Sequence, residues 1–382
     1  MLNNLNIVGH NKTEDIRIFE GKIHSITSGQ SWPAKNELVI TFVNAIAFPG
    51  LINSHDHLDF NLFPLTGNRI YKSYIEWGAD IQSNNRKNID AIVSVPKNLR
   101  VEWGIYKNLL NGITTVVNHG EYLNINNPVI DIFQDCYSLY SVREKSWKFK
   151  LNRPFIKNQP FVIHVGEGTD MSSFEEINEL IRWNLFKRKI IAIHGVSMNT
   201  KQAKAFEALI WCPDSNFFLL NETAKVNELK KETKIIFGTD STLSANWNVW
   251  EQIRLAKKTN MLTDRELFES LTSSPATVWE LNDRGVLTEG KNADIVIADM
   301  KSENNSMDNF FKLNPEDILL IFKKGEIVLF DESLYSLLVK EVTIEEFDKI
   351  VINNTSKRVK GDLNQLISKT KKYIPKINLF GL

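Results

Sequence analysis

Five short apolar runs in this chain end in a residue that can bind a metal ion or carry a proton. The first is Ala47-Phe48-Pro49-Gly50-Leu51-Ile52-Asn53-Ser54-His55-Asp56-His57. Thr114-Thr115-Val116-Val117 leads to His119, Phe161-Val162-Ile163 to His164, Ile190-Ile191-Ala192-Ile193 to His194, and Ile235-Ile236-Phe237-Gly238-Thr239 to Asp240. Runs this short, alternating with helical patterns, read as strands of a mainly parallel sheet. If the sheet closes into a barrel, its strand ends gather on one rim and build a site there. His55 and His57 are two residues apart, so on an extended segment they point the same way and can reach one metal ion. Neutral imidazole is a common ligand for zinc and similar ions.

The strand-helix alternation runs from Gly50 to about Asp283. Residues 98–111 are helical, and Ser173-Phe174-Glu175-Glu176 reads as a capping box opening a helix to about Phe186. Asn199 or Thr200 caps a further helix reaching about Leu209. Before residue 48 and after Gly285 the pattern is short alternating strands with glycine turns. The expected architecture is α/β: a (β/α)8-type TIM barrel over residues 49–285, with a small β-sandwich domain. That domain combines residues 1–48 with residues 286–335, and residues 336–382 form a helical, charged C-terminal extension. One stretch resists this reading. Residues 120–163 must hold two βα units, and only the strand near Cys136–Val142 is clear, so the barrel is shortened around strands 3–4.

Composition removes several function classes. Net charge is zero, which leaves no electrostatic footprint for nucleic acid or a membrane surface. No apolar stretch reaches transmembrane length. The N-terminus lacks the basic and apolar regions of a signal peptide, and the two cysteines, Cys136 and Cys212, make no disulfide framework. A cytoplasmic enzyme with a small-molecule substrate is expected, and a homodimer is left open.

Further segments carry a family resemblance. They are Gly112-Ile113-Thr114-Thr115-Val116-Val117, His164-Val165-Gly166-Glu167, Ile193-His194-Gly195-Val196, Cys212-Pro213-Asp214-Ser215-Asn216, Gly238-Thr239-Asp240-Ser241 and Gly290-Lys291-Asn292-Ala293-Asp294. Together with the His55-Asp56-His57 run, and in this order, they resemble the amidohydrolase superfamily in its cytosine-deaminase and chlorohydrolase-like branch. The resemblance spans about residues 48–300. It implies one divalent metal ion, zinc or else iron, held by His55, His57, His164 and Asp240. Three nitrogens and one carboxylate suit either ion, with a water in the open position. The resemblance further implies Asp240 taking the proton of that water, Glu167 shuttling a proton to the leaving nitrogen, and His194 stabilising the oxyanion.

The implied activity is hydrolysis of a non-peptide C–N bond, as deamination of an aminated heterocycle. Opening of a cyclic amide, as in imidazolonepropionase-like relatives, is the alternative enzyme reading, and a non-catalytic scaffold on the same fold is a third. In binuclear relatives a carboxylated lysine comes from the region between His119 and His164, where Lys145, Lys148 and Lys150 lie, but the His164–Glu167 motif resembles the mononuclear branch. His119 has three readings that stay open: substrate contact, extra metal ligand, or a hydrogen bond in the rim. Aromatic residues in rim loops, Phe60 and Trp247 among them, are candidates for stacking on a flat substrate.

Overall fold

A computed structural model describes residues 1–29, 32–35, 37–157, 159–302 and 305–377. The chain starts with four strands, β1 (Leu2–Ile7), β2 (Thr13–Phe19), β3 (Lys22–Ser28) and β4 (Ile40–Pro49). β4 passes into β5 (Leu51–Asp56) through Gly50 alone. A Cβ at Gly50 would run into the Thr114 side chain, so the close approach of the neighbouring strand requires glycine.

β5 opens a set of eight parallel strands in two sheets. β5, β6 (Ile113–Asn118) and β7 (Asp131–Phe133) form one. β8 (Tyr137–Ser141), β9 (Phe161–Val165), β10 (Ile190–His194), β11 (Ala208–Trp211) and β12 (Lys234–Phe237) form the other. Their apolar runs alternate with period two. Val162, Ile191, Ile193, Ala208, Ile210 and Ile236 share one cluster with Ile52 and Val117, so the inner faces of the two sheets meet. Phe161, Ile163, Ile190, Ala192, Leu209 and Phe237 belong to the larger cluster on the other face.

The two sheets are also joined at their ends. The amides of Thr239 and Asp240, just past β12, both donate to the His55 carbonyl at 3.1 Å. Leu271 O accepts from Ile52 N, and Ser270 O from Phe237 N. β7 is three residues long, and Gln134-Asp135-Cys136, too short a link for a helix, joins it to β8; before it, Asn124-Ile125-Asn126-Asn127-Pro128 supplies turn formers where a helix would connect β6 to β7.

Between β5 and β6 stand three helices, α1 (Tyr74–Asn84), α2 (Arg86–Val93) and α3 (Lys97–Leu110). The helix Met171–Trp183 is capped by Asp170, whose carboxylate accepts from Ser173 N at 2.8 Å. This corrects the start expected at Ser173 by one turn, and it frees Glu176 for another role. Asn199 does cap its helix, with Gln202 completing the box, but that helix ends at Ala203 rather than near Leu209. Ala208–Trp211 is the buried strand β11 instead, since a run of four apolar residues satisfies its backbone between two neighbours.

Strands from both chain ends make one nine-stranded sheet. β13 (Ile295–Asp299) pairs with β4, β14 (Ile318–Lys323) with β13, and β15 (Glu326–Asp331) with β14. The sheet curls, since Ile23 of β3 and Phe347 near the opposite edge share one cluster. Alternate residues of β4 face opposite ways: Ala45 and Ala47 into that cluster, Ile46 and Phe48 towards the parallel sheets. Phe48 meets Trp250 and Phe310 edge-on, with ring centres 5.9 and 5.1 Å away.

The helical extension expected over residues 336–382 is only partly helical. Phe347–Ile352 and Thr355–Lys360 are strands β16 and β17, and β17 pairs with β15 as a continuation of the same sheet. Asn353 and Asn354 both take positive φ, 45° and 66°, as a two-residue hairpin turn requires. The helix Leu363–Lys371 follows. No helix among the described residues is long and apolar enough to cross a membrane.

Candidate metal centre and catalytic cavity

The ends of β5, β9, β10 and β12 bring His55, His57, His164, His194 and Asp240 together. His55 is 1% exposed, and neither of its ring nitrogens has a hydrogen-bond partner. A buried polar atom without a partner is costly, so these nitrogens call for a ligand. His57 Nε2 and His164 Nε2 face each other at 3.3 Å. The Tyr140 carbonyl lies 2.8 Å from His164 Nδ1, so Nδ1 carries the proton and leaves the Nε2 lone pair free. Asp240 Oδ1 lies 3.8 Å from His55 Nε2. One ligand atom from each of His55, His57 and His164 falls within 4.8 Å of the others, and the same holds for His55, His194 and Asp240. Three imidazole nitrogens and one carboxylate oxygen fit a single divalent ion of the zinc type.

Two of these residues sit on unusual backbone. His194 and Asp240 take φ of 70° and 56°, a left-handed conformation that side-chain-bearing residues seldom adopt. Strain of this kind persists only where the surroundings hold it. At Asp240 they do. Ser215 and Ser244 hydroxyls donate to Oδ2 at 2.8 and 2.9 Å, and Ser241 N donates to Oδ1 at 2.8 Å. Burial works against ionisation of this carboxyl, yet the neighbouring His57 and His194 and the Ser215 hydroxyl hold its pKa below the usual range.

Glu167 is the opposite case. Burial, with Asp240 and Glu176 nearby, drives its pKa well above that of a free carboxyl, which favours its protonated form. Two carboxyl groups pushed in opposite directions suit an acid and a base. Glu167 Oε2 lies 3.5 Å from His194 Nε2. Asn216 Nδ2 lies 2.9 Å from His194 Nδ1, while the Asn216 carbonyl oxygen accepts from Thr223 Oγ1. The amide therefore donates to Nδ1, and the ring proton sits on Nε2, the nitrogen turned to Glu167. Burial also lowers the His194 pKa to about 4, which keeps the ring neutral.

These groups open onto one cavity of about 450 Å³, whose wall includes His57, His164, Glu167, His194 and Asp240. Phe60 is in that wall and stacks on His57 with ring centres 5.3 Å apart. Two other sequence candidates are elsewhere. Trp247 lines a separate hollow beside Phe217 and Ile377. His119 stands behind the ligands, its ring centre 4.5 Å from that of His164, with Nε2 buried and unpartnered. It does not reach the wall of the cavity as described.

The sequence reading missed a set of supporting groups. Asp56 points away from its histidine neighbours and accepts from Asn61 and Asn108 amides at 2.9 and 2.8 Å. The fully buried ammonium of Lys107 lies 3.2 Å from Asp56, 3.0 Å from Thr239 Oγ1 and 2.8 Å from the Asp240 carbonyl. A signal existed: Gly104, Lys107, Asn108 and Asn111 share one face of α3, and that face is buried.

A family model described as the amidohydrolase family matches residues 161–328, a span that contains His164, Glu167, His194 and Asp240. A 5'-deoxyadenosine deaminase of Methanococcus aeolicus is 25% identical over 366 residues, covering 76% of this chain and 83% of the relative. Among solved structures, a zinc-bound adenosine deaminase from Xanthomonas campestris shares 14% identity at a TM-score of 0.69, with 98% of each chain covered. Atrazine chlorohydrolase from Arthrobacter aurescens, complexed with zinc, shares 16% identity at a TM-score of 0.66, over 98% of this chain and 99% of that one. The structural likenesses establish a common fold.

Proposed function

Because the chain belongs to the amidohydrolase superfamily, we propose that it is a metal-dependent hydrolase that deaminates a small aminated heterocycle. The observation that carries this reading is the 3.5 Å approach of the buried Glu167 carboxyl to a neutral His194, both lining one cavity with His57, His164 and Asp240 of the zinc-type donor set. His55, His57, His164 and Asp240 would hold the ion. When bound, it supplies Lewis acidity and lowers the pKa of a water. Asp240 would receive the proton of the water that attacks the ring carbon. Glu167 gives its proton to the departing amine, so nitrogen leaves as ammonia rather than as a poor anion. His194 donates from Nε2 to the oxygen that gains charge during addition. In balance, the water oxygen and one hydrogen stay with the product, and the other hydrogen leaves on nitrogen.

The eight parallel strands are read here as a closed (β/α)8 barrel, shortened at β7 and β8. The curled nine-stranded sheet is read as a composite domain of residues 1–48 and 286–335, extended by β16 and β17. The deaminase reading is supported by the named activity of the Methanococcus aeolicus relative and of the Xanthomonas campestris structure. A panel of amino-heterocycles offered to the zinc-loaded protein tests it. Ammonia release that stops on chelation and returns with zinc is expected. Ring opening of a cyclic amide, with no ammonia from any amine, would contradict it.

A further inference from the structure

The outer wall of the catalytic cavity is built by helices rather than by strand ends. α1 contributes Tyr74, Trp77, Gly78, Ile81 and Gln82, which share one helical face, and α2 adds Ile89 and Val93 one turn apart. A mainly apolar stripe of this kind normally covers a protein core; here it faces open space. The Trp77 indole N–H already donates to the Thr66 carbonyl at 2.7 Å, so its ring offers the cavity carbon surface. Among the described wall residues there is no lysine or arginine, and the carboxyl groups present are Glu167 and Asp240. Ser244 is committed to Asp240. An anionic substituent on the α1–α2 face would be stripped of water with no lysine or arginine in the wall to pair it.

Gly78 adds an independent observation. It lies inside α1 on ordinary helical backbone, where glycine weakens a helix. A Cβ there would meet nothing within 4 Å. Neither backbone conformation nor packing requires glycine at this position, and its missing side chain leaves that part of the cavity wall open.

Building on the deaminase reading, we infer that the substrate carries an uncharged hydrocarbon substituent of several carbons. It seats against the α1–α2 face over Gly78, with the amine turned towards Glu167. Substrates bearing phosphate or carboxylate at that position are excluded by charge. Amino-purine, amino-pyrimidine and amino-triazine cores, each carrying methyl, butyl or 3-carboxypropyl, test this on the zinc-loaded enzyme. Binding is read by calorimetry and turnover by ammonia release. On any core that binds, the butyl form is expected to bind at least ~10-fold tighter than the methyl form, as burial of extra methylenes requires. The carboxypropyl form should bind at least ~10²-fold more weakly than butyl. Gly78→Leu should remove the butyl advantage with no fall in Tm, and Gly78→Ala should reduce it in part. Equal binding of butyl and carboxypropyl forms, an unchanged butyl-to-methyl ratio in Gly78→Leu, or no binding by any core would overturn the inference. Binding in the stated order without ammonia release would uphold it and refute the deaminase reaction instead.

Discussion

The Lys107 ammonium donates a 2.8 Å hydrogen bond to the backbone carbonyl of Asp240, the metal-ligand candidate held at positive φ. The same ammonium pairs with Asp56, the residue between the two histidines of β5. One buried cation thus ties the strand end that carries His55 and His57 to the one that carries Asp240. Removing one partner of a buried pair commonly costs about 3–5 kcal/mol. Lys107→Met should therefore destabilise the metal-free protein by an amount of that order in denaturant melts. Adding Asp56→Asn removes the stranded charge and should recover part of the loss. Zinc affinity, measured against a competing chelator, should stay at least ~10-fold weaker in the double variant, because the Asp240 carbonyl still lacks the ammonium and is left with the Thr239 hydroxyl. Wild-type zinc affinity there would show that Lys107 serves folding alone.

Asn216 acts through His194. Its amide donates to Nδ1 and so keeps the proton on Nε2. Asn216→Leu leaves the tautomer unset, and a loss of ~10–10²-fold in kcat is expected, with KM and zinc content close to wild type. A variant that loses zinc in proportion to activity would instead make Asn216 a support of the metal site.

Acid stability has a local contributor far from the cavity. Asp131, at the start of β7, lies 2.6 Å from Arg284 and 2.7 Å from Lys324, joining the parallel sheets to the nine-stranded one. Burial opposes its ionisation, but hydrogen bonds from Lys324 and Arg284 bring its pKa down to about 2. A carboxyl with a depressed folded pKa binds fewer protons folded than unfolded in this range. Its stabilisation is present above about pH 4 and is lost as pH falls towards 2. Between pH 5 and pH 2.5, Tm should fall less in Asp131→Asn than in wild type. Parallel Tm curves would exclude this contribution.

The sequence carried the site further than it carried its supports. His55, His57, His164, His194 and Asp240 end apolar runs, and strand ends have few other ways to present polar residues together. Lys107 and Asn108 escaped because a lysine in an amphipathic helix reads as a solvated residue unless the docking of that face is known. The hairpin of β16 and β17 was written in Asn353-Asn354 between two alternating runs, but the high charge of Thr355–Lys360 argued for a solvated helix. Those charges are largely spent in ion pairs: Lys357 is fully buried against Asp331, and Arg358 pairs with Glu332. Trp247 shows the opposite limit. Its position two turns of chain past Asp240 suggested the rim, while the short helical turn after Asp240 carries it to another hollow.

The central claim is that Glu167 moves a proton and does not hold the metal. Glu167→Gln preserves shape and removes the titrating oxygen, so zinc content and kcat measured together on this variant and wild type test it most directly. The account predicts wild-type zinc stoichiometry with kcat lower by at least ~10²-fold, the range of general acid–base assistance. Turnover at the wild-type rate, or loss of zinc from the variant, would contradict it.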